Sequence, residues 1–240
     1  GRSGDSSTST CLLQNKTGTR YNTDEYDKDD VRDFVLWKAE SKDGVHWQSA
    51  HGDGRPGWHL ECSVMARELL GDQIDIHCGG IDHIPVHHTN EIAQTEAITN
   101  TPFSQFWVHA NHIKVNGTKM SKSLGNIYTL GDITKKGFDI QAFKLLVLSK
   151  HYRTEGNFTW DILTASANRL NRWLSAIDLQ WQTYSTQAPQ NDAPDLHQAL
   201  LTALQNDLNT PQAISAIDSF IDRVEALQLA PDDIIRNATA

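Results

Sequence analysis

Lys119-Met120-Ser121-Lys122-Ser123 follows a strand-like stretch and the turn residues Asn116-Gly117. Two lysines three residues apart on a glycine-flanked loop can close over a polyphosphate. There they offset the charge that develops as pyrophosphate leaves an α-phosphorus. A generic Lys-x-x-Lys pair is more often an exposed basic turn, so the pair by itself leaves both interpretations open.

The basic character of this loop extends along the chain. The 240 residues carry a net charge of −9, yet the segment from Lys114 to Arg153 has seven Lys and one Arg against two Asp. Such a basic segment can hold an anion such as a nucleotide phosphate or an RNA backbone. A solvated lysine face also explains the charge, and on charge alone it is the preferred explanation.

Composition limits the class of protein. With 38% hydrophobic and 21% charged residues the chain can form a packed core. No run of about 18 apolar residues exists, which argues against a membrane span, and no basic-then-apolar leader opens the chain. Three cysteines argue against a disulfide scaffold and favour a reducing compartment, so we expect a cytoplasmic protein. The first residue is Gly1, as in a processed, tagged or partial chain.

Residues 32–157 show an α/β pattern. Phe34 to Trp37 and Val45 to Trp47 flank the turn residues Asp43-Gly44 and predict a hairpin. Pro56 is typical of a first helical turn, and Gly71 of the position after a helix end. The remaining predicted elements are a strand through Ile74 and Ile76 up to Gly79-Gly80, a helix from His87 to Ile98, a strand from Trp107 to Val115 and a helix from Ala142.

After Asn157 the periodicity is helical. Leu196, Leu200, Leu204 and Leu208 recur every four residues, and Asn209-Thr210-Pro211 is a helix start signal. Residues 182–195 predict a connector. We therefore divide the chain into a polar segment 1–31, an α/β region 32–157 and a helical region 158–240.

Further motifs restrict the families to which the chain can belong. They are Asp33-Phe34-x-Leu36-Trp37-Lys38, Pro56-Gly57-Trp58-His59-x-Glu61-Cys62-Ser63, Asp75-Ile76-His77-x-Gly79-Gly80-x-Asp82, His87-His88-x-Asn90-Glu91-Ile92-Ala93-Gln94 and His151-Tyr152-Arg153. With Lys119–Asn126, in this order, they resemble cysteinyl-tRNA synthetase, a class I aminoacyl-tRNA synthetase, from about residue 32 to about 227. Asp207-x-Asn209-Thr210-Pro211 is similar to the start of that family's tRNA-binding helical domain.

The resemblance implies a fold and a set of roles. The fold is α/β, the second half of a Rossmann-like nucleotide-binding catalytic domain in residues 32–157, followed by the start of an α-helical tRNA-binding bundle in 158–240. Residues 1–31 then form an insertion. Lys122 is implied to contact the triphosphate of ATP, accompanied by Mg²⁺, and Lys119 to support closure of the loop.

Cys62, His87 and Glu91 form a candidate metal site. His87 and Glu91 are four residues apart and share one helix face, while Cys62 lies on a separate predicted helix. Thiolate, imidazole and carboxylate are all zinc ligands, although an isolated His-x-x-x-Glu pair is usually a surface contact. The resemblance implies Zn²⁺ bound by this set and by an upstream Cys that has no match here. Cys11 lacks the residues that surround this Cys in the family, so it is not assigned as the fourth ligand. His88 is the alternative to His87 as the imidazole ligand; His87 is preferred because it lies four residues before Glu91 and matches the family position.

The remaining candidates line the predicted substrate pocket. Trp58 precedes Cys62 by one helical turn and can form a wall of the amino-acid pocket, with a core tryptophan as the alternative. The resemblance places it against the side chain of the substrate cysteine. His77, Gly79 and Gly80 end a predicted strand, where ligands collect in open α/β sheets. The glycines let a nucleotide approach the backbone, and Asp82 can accept hydrogen bonds from a ribose or an ammonium group. A simple turn is the alternative for these last residues.

The family's His-x-Gly-His motif is absent, as is the first zinc Cys. We therefore expect a fragment that begins between the halves of the catalytic domain and is inactive by itself. Locally, Cys78 replaces a usual Gly, and residues 81–86 and Thr89 depart from the family pattern.

The expected function is ATP-dependent ligation of L-cysteine to tRNA(Cys) through cysteinyl-adenylate, with zinc selecting the thiol. Two alternatives stay open. One is the ATP-dependent cysteine ligase of mycothiol synthesis, against which the Asp207–Pro211 segment argues. The other is a non-catalytic, truncated paralogue that binds zinc or RNA. The oligomeric state is left undetermined.

Overall fold

The computed structural model of the chain describes residues 33–39, 44–181, 195–226 and Ile234. The predicted polar segment 1–31 with Cys11, and the predicted connector apart from Asp195, lie outside these residues. The chain divides into two compact units, residues 1–110 and 111–240, which are described separately. The predicted boundary near residue 157, between a catalytic and a helical domain, stays a prediction.

The described part of the first unit combines short strands with two α-helices. Its elements in chain order are β1 (Trp37–Ala39), β2 (Gly54–Pro56), α1 (Trp58–Leu70), β3 (Ile74–Gly80), a 3₁₀ turn (Ile81–His83), a π-helical turn (Ile84–His88), α2 (Thr89–Thr99) and β4 (Ser104–Ala110).

The N-terminal hairpin differs from the prediction. β1 pairs antiparallel with β2, with Trp37 opposite Pro56, rather than with the segment around Val45. Trp47 instead forms a single bridge to Gly54, with its N–H 2.8 Å from the Gly54 carbonyl oxygen. The predicted place of Pro56 in a first helical turn is therefore wrong, because it lies in β2 and the helix begins at Trp58.

A parallel β-α-β arrangement forms the centre of the first unit. β3 and β4 are parallel neighbours, with His77 opposite Trp107, and α2 lies between them in sequence. α1 packs against α2. It ends at Gly71, whose φ of 97° is a backbone conformation that favours glycine. The predicted α/β class is confirmed, and the predicted helix after His87 begins earlier, as a π-helical turn.

The second unit is mainly helical among its described residues. Its elements are β5 (Ile113–Val115), α3 (Leu130–Lys135), α4 (Ile140–Leu148), β6 (Gly156–Phe158), α5 (Trp160–Ile177), a 3₁₀ turn (Asp178–Trp181), α6 (Leu196–Gln205) and α7 (Thr210–Glu225). β5 and β6 are parallel. The predicted single strand from Trp107 to Val115 is wrong, because β4 ends at Ala110 and β5 starts at Ile113 and pairs elsewhere.

Polar side chains start the helices of the second unit. Thr129, Asp139, Thr159, Asp195 and Asn209 each accept a hydrogen bond from a backbone N–H of the first turn that follows. The predicted start at Asn209 is thereby confirmed, whereas Leu208 lies beyond the end of α6.

Two apolar clusters hold the second unit together. One contains Val115, Ile133, Ala142, Leu146, Phe158 and Leu163. The other contains Ala176, Leu196, Phe220, Ile221, Val224 and Ile234. Within the described residues, no helix has the length and apolar character needed to cross a membrane.

Candidate functional site

Cys62, His87 and Glu91 come together in the first unit. Cys62 belongs to α1, His87 to the π-helical turn and Glu91 to α2. One potential ligand atom from each lies within 4.8 Å of the others. His87 and Glu91 are buried, and Cys62 is half-buried. These three donor atoms are close enough together for one metal ion to contact all of them.

The local structure explains why these three side chains meet. A spacing of four residues places His87 and Glu91 on one face, and Nε2 of His87 lies 3.6 Å from Oε2 of Glu91. α1 presents its buried residues His59 and Ser63 to the same region. Nδ1 of His59 lies 2.7 Å from Nδ1 of His87, so a direct hydrogen bond joins α1 to the π-helical turn beside Cys62.

The Glu91 carboxyl group is the most enclosed part of the site. Its relative exposure is 0%, and Oε1 has no hydrogen-bond partner among the described residues. Oε2 lies 3.0 Å from Nε2 of His77, at hydrogen-bonding distance. An enclosed carboxylate with a bare oxygen is costly unless a cation or a proton satisfies it. With a sulfur and an imidazole nitrogen beside it, this donor set fits a zinc ion.

Burial controls the protonation of the other ligands. The pKa of the Cys62 thiol is raised, mainly by burial and then by the negative charges of Glu91 and Glu61. Burial also lowers the pKa of His87, despite the opposing charge of Glu91. His87 is therefore neutral at pH 7, the form in which imidazole binds metals. Its approach to Glu91 is a contact between a neutral ring and a carboxylate rather than an ion pair.

Glu91 lies within a larger group of imidazoles that the sequence patterns did not identify. We call it the histidine cluster: His59, His77, His83, His87, His88 and His109. Each ring centroid lies within 5.1 Å of another ring of the cluster. Nδ1 of His88 lies 2.8 Å from Nε2 of His109. The concentration of six of the 11 histidines within residues 59–109 is the compositional signal that could have indicated this cluster.

Trp58 stands at the rim of the cluster. It is the first residue of α1, and its ring centroid lies 5.0 Å from that of His87. The side chain is 56% exposed. It therefore packs beside His87 while much of its own surface stays exposed, and its role as a pocket wall stays a prediction.

The predicted nucleotide residues of the first unit lie at the end of β3. His77, Gly79 and Gly80 belong to the strand, and Asp82 lies exposed in the 3₁₀ turn that follows. Gly79 is required by close packing, because a Cβ there would lie 2.5 Å from Cε1 of His88 and 2.8 Å from Nδ1 of His83. Because Gly79 has no side chain, it leaves room for two imidazoles of the histidine cluster.

The lysine loop lies in the second unit and is organised by Asn126. Oδ1 of Asn126 accepts a hydrogen bond from the Ser121 backbone N–H at 2.8 Å. Nδ2 donates to Oγ1 of Thr118 at 3.2 Å and to the Lys119 carbonyl oxygen at 3.1 Å. Lys119 and Lys122 are exposed. The loop is therefore braced through its backbone while both predicted phosphate-binding side chains reach solvent.

Comparison with known families identifies the family of the chain. The family model described as "tRNA synthetases class I (C) catalytic domain" matches residues 6–168. The chain belongs to this family. The resemblance stated from the motifs, and the predicted class I synthetase fold, are confirmed.

Relatives of known name agree with this family. The chain is 44% identical over 216 residues to the cysteine–tRNA ligase of Chlamydia caviae, a match that covers 87% of this chain and 45% of the relative. It is 45% identical over 227 residues to that of Protochlamydia amoebophila, covering 90% and 46%. The chain thus spans about half the length of the curated relatives it matches.

A solved structure shares the fold. It is agnB2 LeuRS of Agrobacterium radiobacter K84, determined in a ternary complex with tRNA and LeuAMS. The TM-score is 0.57 at 18% identity, and the match covers 83% of this chain and 30% of the other. At this identity the likeness shows the fold alone.

Proposed function

We propose that the chain is the part of a cysteine–tRNA ligase that binds the thiol of the amino acid and the phosphates of ATP. The observation that carries the proposal is the meeting of Cys62, His87 and Glu91 within 4.8 Å, in a chain that belongs to a class I synthetase family. The relatives, which are cysteine–tRNA ligases, support cysteine as the substrate. The reaction is formation of cysteinyl-adenylate and pyrophosphate from cysteine and ATP, followed by transfer of cysteine to the 3′ end of tRNA(Cys) with release of AMP.

Cys62, His87 and Glu91 are the proposed zinc ligands. A bound Zn²⁺ would supply a soft Lewis acid that takes the substrate sulfur as a thiolate. A serine hydroxyl is harder and much less acidic, so the site distinguishes the two amino acids by bond type rather than by size. Trp58, beside His87 and half open to solvent, bounds the space for the amino-acid side chain.

The nucleotide is assigned to two sets of residues. At the end of β3 we assign His77, Gly79, Gly80 and Asp82 to the adenylate part, since strand ends of α/β sheets collect such ligands. Lys119 and Lys122 are assigned to the triphosphate with its Mg²⁺, where they offset charge as pyrophosphate leaves. Positioning and charge stabilisation suffice for this step, and no general base is required.

The tRNA is assigned to the helical segment that starts with α5, and the cytoplasm is the proposed compartment. The alternative acceptor, an amino-sugar as in mycothiol synthesis, gains no support from these two relatives, both of which are cysteine–tRNA ligases. A second test reaction separates the two acceptors. The complete gene product should charge tRNA(Cys) and leave the amino-sugar unmodified.

Cysteine-dependent ATP–pyrophosphate exchange by the complete gene product tests the thiol site. Wild type should exchange with cysteine and reject serine, and Cys62→Ser should lose zinc together with cysteine activation. His197→Gln, a substitution in α6 of the other unit, is the matched control and should change neither. Retention of full exchange by Cys62→Ser would refute the zinc assignment. The 240-residue chain alone should form no adenylate.

A further inference from the structure

Glu91, a proposed zinc ligand, and His77, assigned to the adenylate, also belong to a second donor set together with His88. Single ligand atoms of His77, His88 and Glu91 also lie within 4.8 Å of one another. Nε2 of His77 lies 3.0 Å and Nε2 of His88 3.8 Å from Oε2 of Glu91. We propose that these three residues form a second divalent-cation site, made of nitrogen and oxygen donors without sulfur.

The burial of the set is the first argument. The side chains of His88 and Glu91 are 2% and 1% exposed, and Oε1 of Glu91 has no hydrogen-bond partner among the described residues. The imidazoles of His77, His87 and His88 all approach Oε2 of this carboxyl group. A carboxylate has two oxygens, each with two lone pairs, so it can serve two cations at once, as in two-metal centres.

The orientation of His88 is the second argument. Its Nδ1 lies 2.8 Å from Nε2 of His109, which holds the ring so that Nε2 faces Glu91. Histidines that bind metals characteristically bond through their other ring nitrogen in this way, which sets ring orientation and tautomer. When Nδ1 carries the proton, a nitrogen lone pair faces a carboxylate oxygen at 3.8 Å. A cation bound between the His88 nitrogen and the Glu91 oxygen would make their proximity favourable.

The space around His88 is the third argument. Gly79 is the residue against which the ring packs, and a Cβ there would lie 2.7 Å from Nε2 of His88, the same atom that faces Glu91. The backbone therefore leaves room at the nitrogen that the proposed site uses. His77, in β3 opposite Trp107 of β4, contributes the third donor, and its side chain is 20% exposed.

The chemistry of the set defines its ligand. Two imidazoles and one carboxylate suit Zn²⁺, Co²⁺ or a related first-row cation, and three protein donors leave at least one coordination position open. Because His77 is the most exposed of the three, the open position lies on its side. The site would therefore take a water molecule or an oxygen donor of a ligand that enters past His77, whereas the Cys62 site takes sulfur.

Titration of the metal-free 240-residue chain with Co²⁺ tests the proposal. Binding at Cys62 gives thiolate-to-cobalt charge transfer in the near ultraviolet, and binding at His77 and His88 gives only visible d–d bands. We expect wild type to bind two equivalents. Cys62→Ala should keep one equivalent without charge transfer.

The complementary variant is His77→Gln, which removes the least buried ligand. It should keep the charge-transfer equivalent and weaken the other by at least about 100-fold, the upper end of what loss of an outer-shell partner costs. His46→Gln, an exposed histidine outside the histidine cluster, is the control for adventitious binding, and circular dichroism reports folding of each variant.

The outcomes separate the two proposals. A single equivalent with charge transfer in wild type, or no binding by folded Cys62→Ala, overturns the second site and leaves the zinc assignment standing. Two equivalents without charge transfer overturn the role of Cys62 and leave the second site standing. Unchanged binding by folded His77→Gln also overturns the second site.

Discussion

The Ser63 hydroxyl donates a hydrogen bond to Oε1 of Gln94 across 2.7 Å, and both side chains are buried. Ser63 follows Cys62 in α1, and Gln94 lies three residues after Glu91 in α2. The bond therefore ties together the two helices that carry the sulfur and carboxylate donors. Because a polar link in a buried interface depends on geometry, it sets the distance between the helices more specifically than apolar contact does.

Replacing Ser63 by Ala should destabilise the first unit. The substitution leaves Oε1 of Gln94 buried without a donor, which costs about 1–3 kcal/mol. Urea unfolding should show this loss. The double variant Ser63→Ala/Gln94→Leu, which removes both polar partners, should recover most of it. A Ser63→Ala variant within about 0.5 kcal/mol of wild type would show that the bond contributes little.

Gly79→Ala should disturb the histidine cluster. The added methyl group would lie 2.5 Å from Cε1 of His88, a ring that is 1% exposed and packed on all sides. Overpacking of this kind costs about 1–3 kcal/mol. The measurement is the thermal midpoint together with binding of the thiolate-free Co²⁺ equivalent, and both should decrease.

Gly131→Ala is the matched control for that substitution. Gly131 lies in α3, and a Cβ there meets only Oγ1 of Thr129 at 3.5 Å, an ordinary contact. Alanine in a helix is favoured over glycine by about 0.5–1 kcal/mol. Gly131→Ala should therefore raise stability slightly. Equal effects of the two substitutions would contradict the packing argument at Gly79.

Asp207 should make stability depend on pH. Hydrogen bonds from Arg153 and Tyr152 lower the pKa of Asp207 from 3.8 to about 2. A lowered pKa in the folded state means that the stabilisation is complete above about pH 4 and is lost as pH falls through about 2. The difference in thermal midpoint between wild type and Asp207→Asn should therefore be largest at neutral pH and shrink below about pH 4.

Asparagine is the appropriate replacement at this position. Asp207 has a φ of 55°, a conformation that Asn tolerates better than most residues. Arg153→Gln removes the guanidinium group that donates hydrogen bonds to the Asp207 carboxylate. In that background Asp207→Asn should have little further effect, and a full additive loss would exclude direct coupling between the two residues.

Asn126→Ala should loosen the lysine loop. It removes the acceptor for the Ser121 N–H and the donor to the Lys119 carbonyl oxygen. Amide hydrogen exchange at Ser121 should become faster, because its N–H loses its partner. Asn126→Asp keeps the acceptor and loses the donor, so exchange at Ser121 should stay slower than in Asn126→Ala. Identical exchange in all three proteins would show that Asn126 does not brace the loop.

Local features of the chain were predictable from sequence. The start of a helix at Asn209 and the end of another at Gly71 each depend on the chemistry of a single turn. Both were predicted correctly. The common face of His87 and Glu91 follows from helical periodicity. Strand partners were less predictable, because pairing of Trp37 with Pro56 depends on which distant segment fits its register.

The motif at Lys119–Ser123 and its companions indicated the family from sequence alone, since each depends on residue type and order. Only the tertiary structure placed Cys62 within 4.8 Å of His87 and Glu91 and brought His77 to the same carboxyl group. The physical reason is distance along the chain. Spacing within one helix is set by 3.6 residues per turn, whereas contacts between α1, α2 and the ends of β3 and β4 exist only once those elements pack.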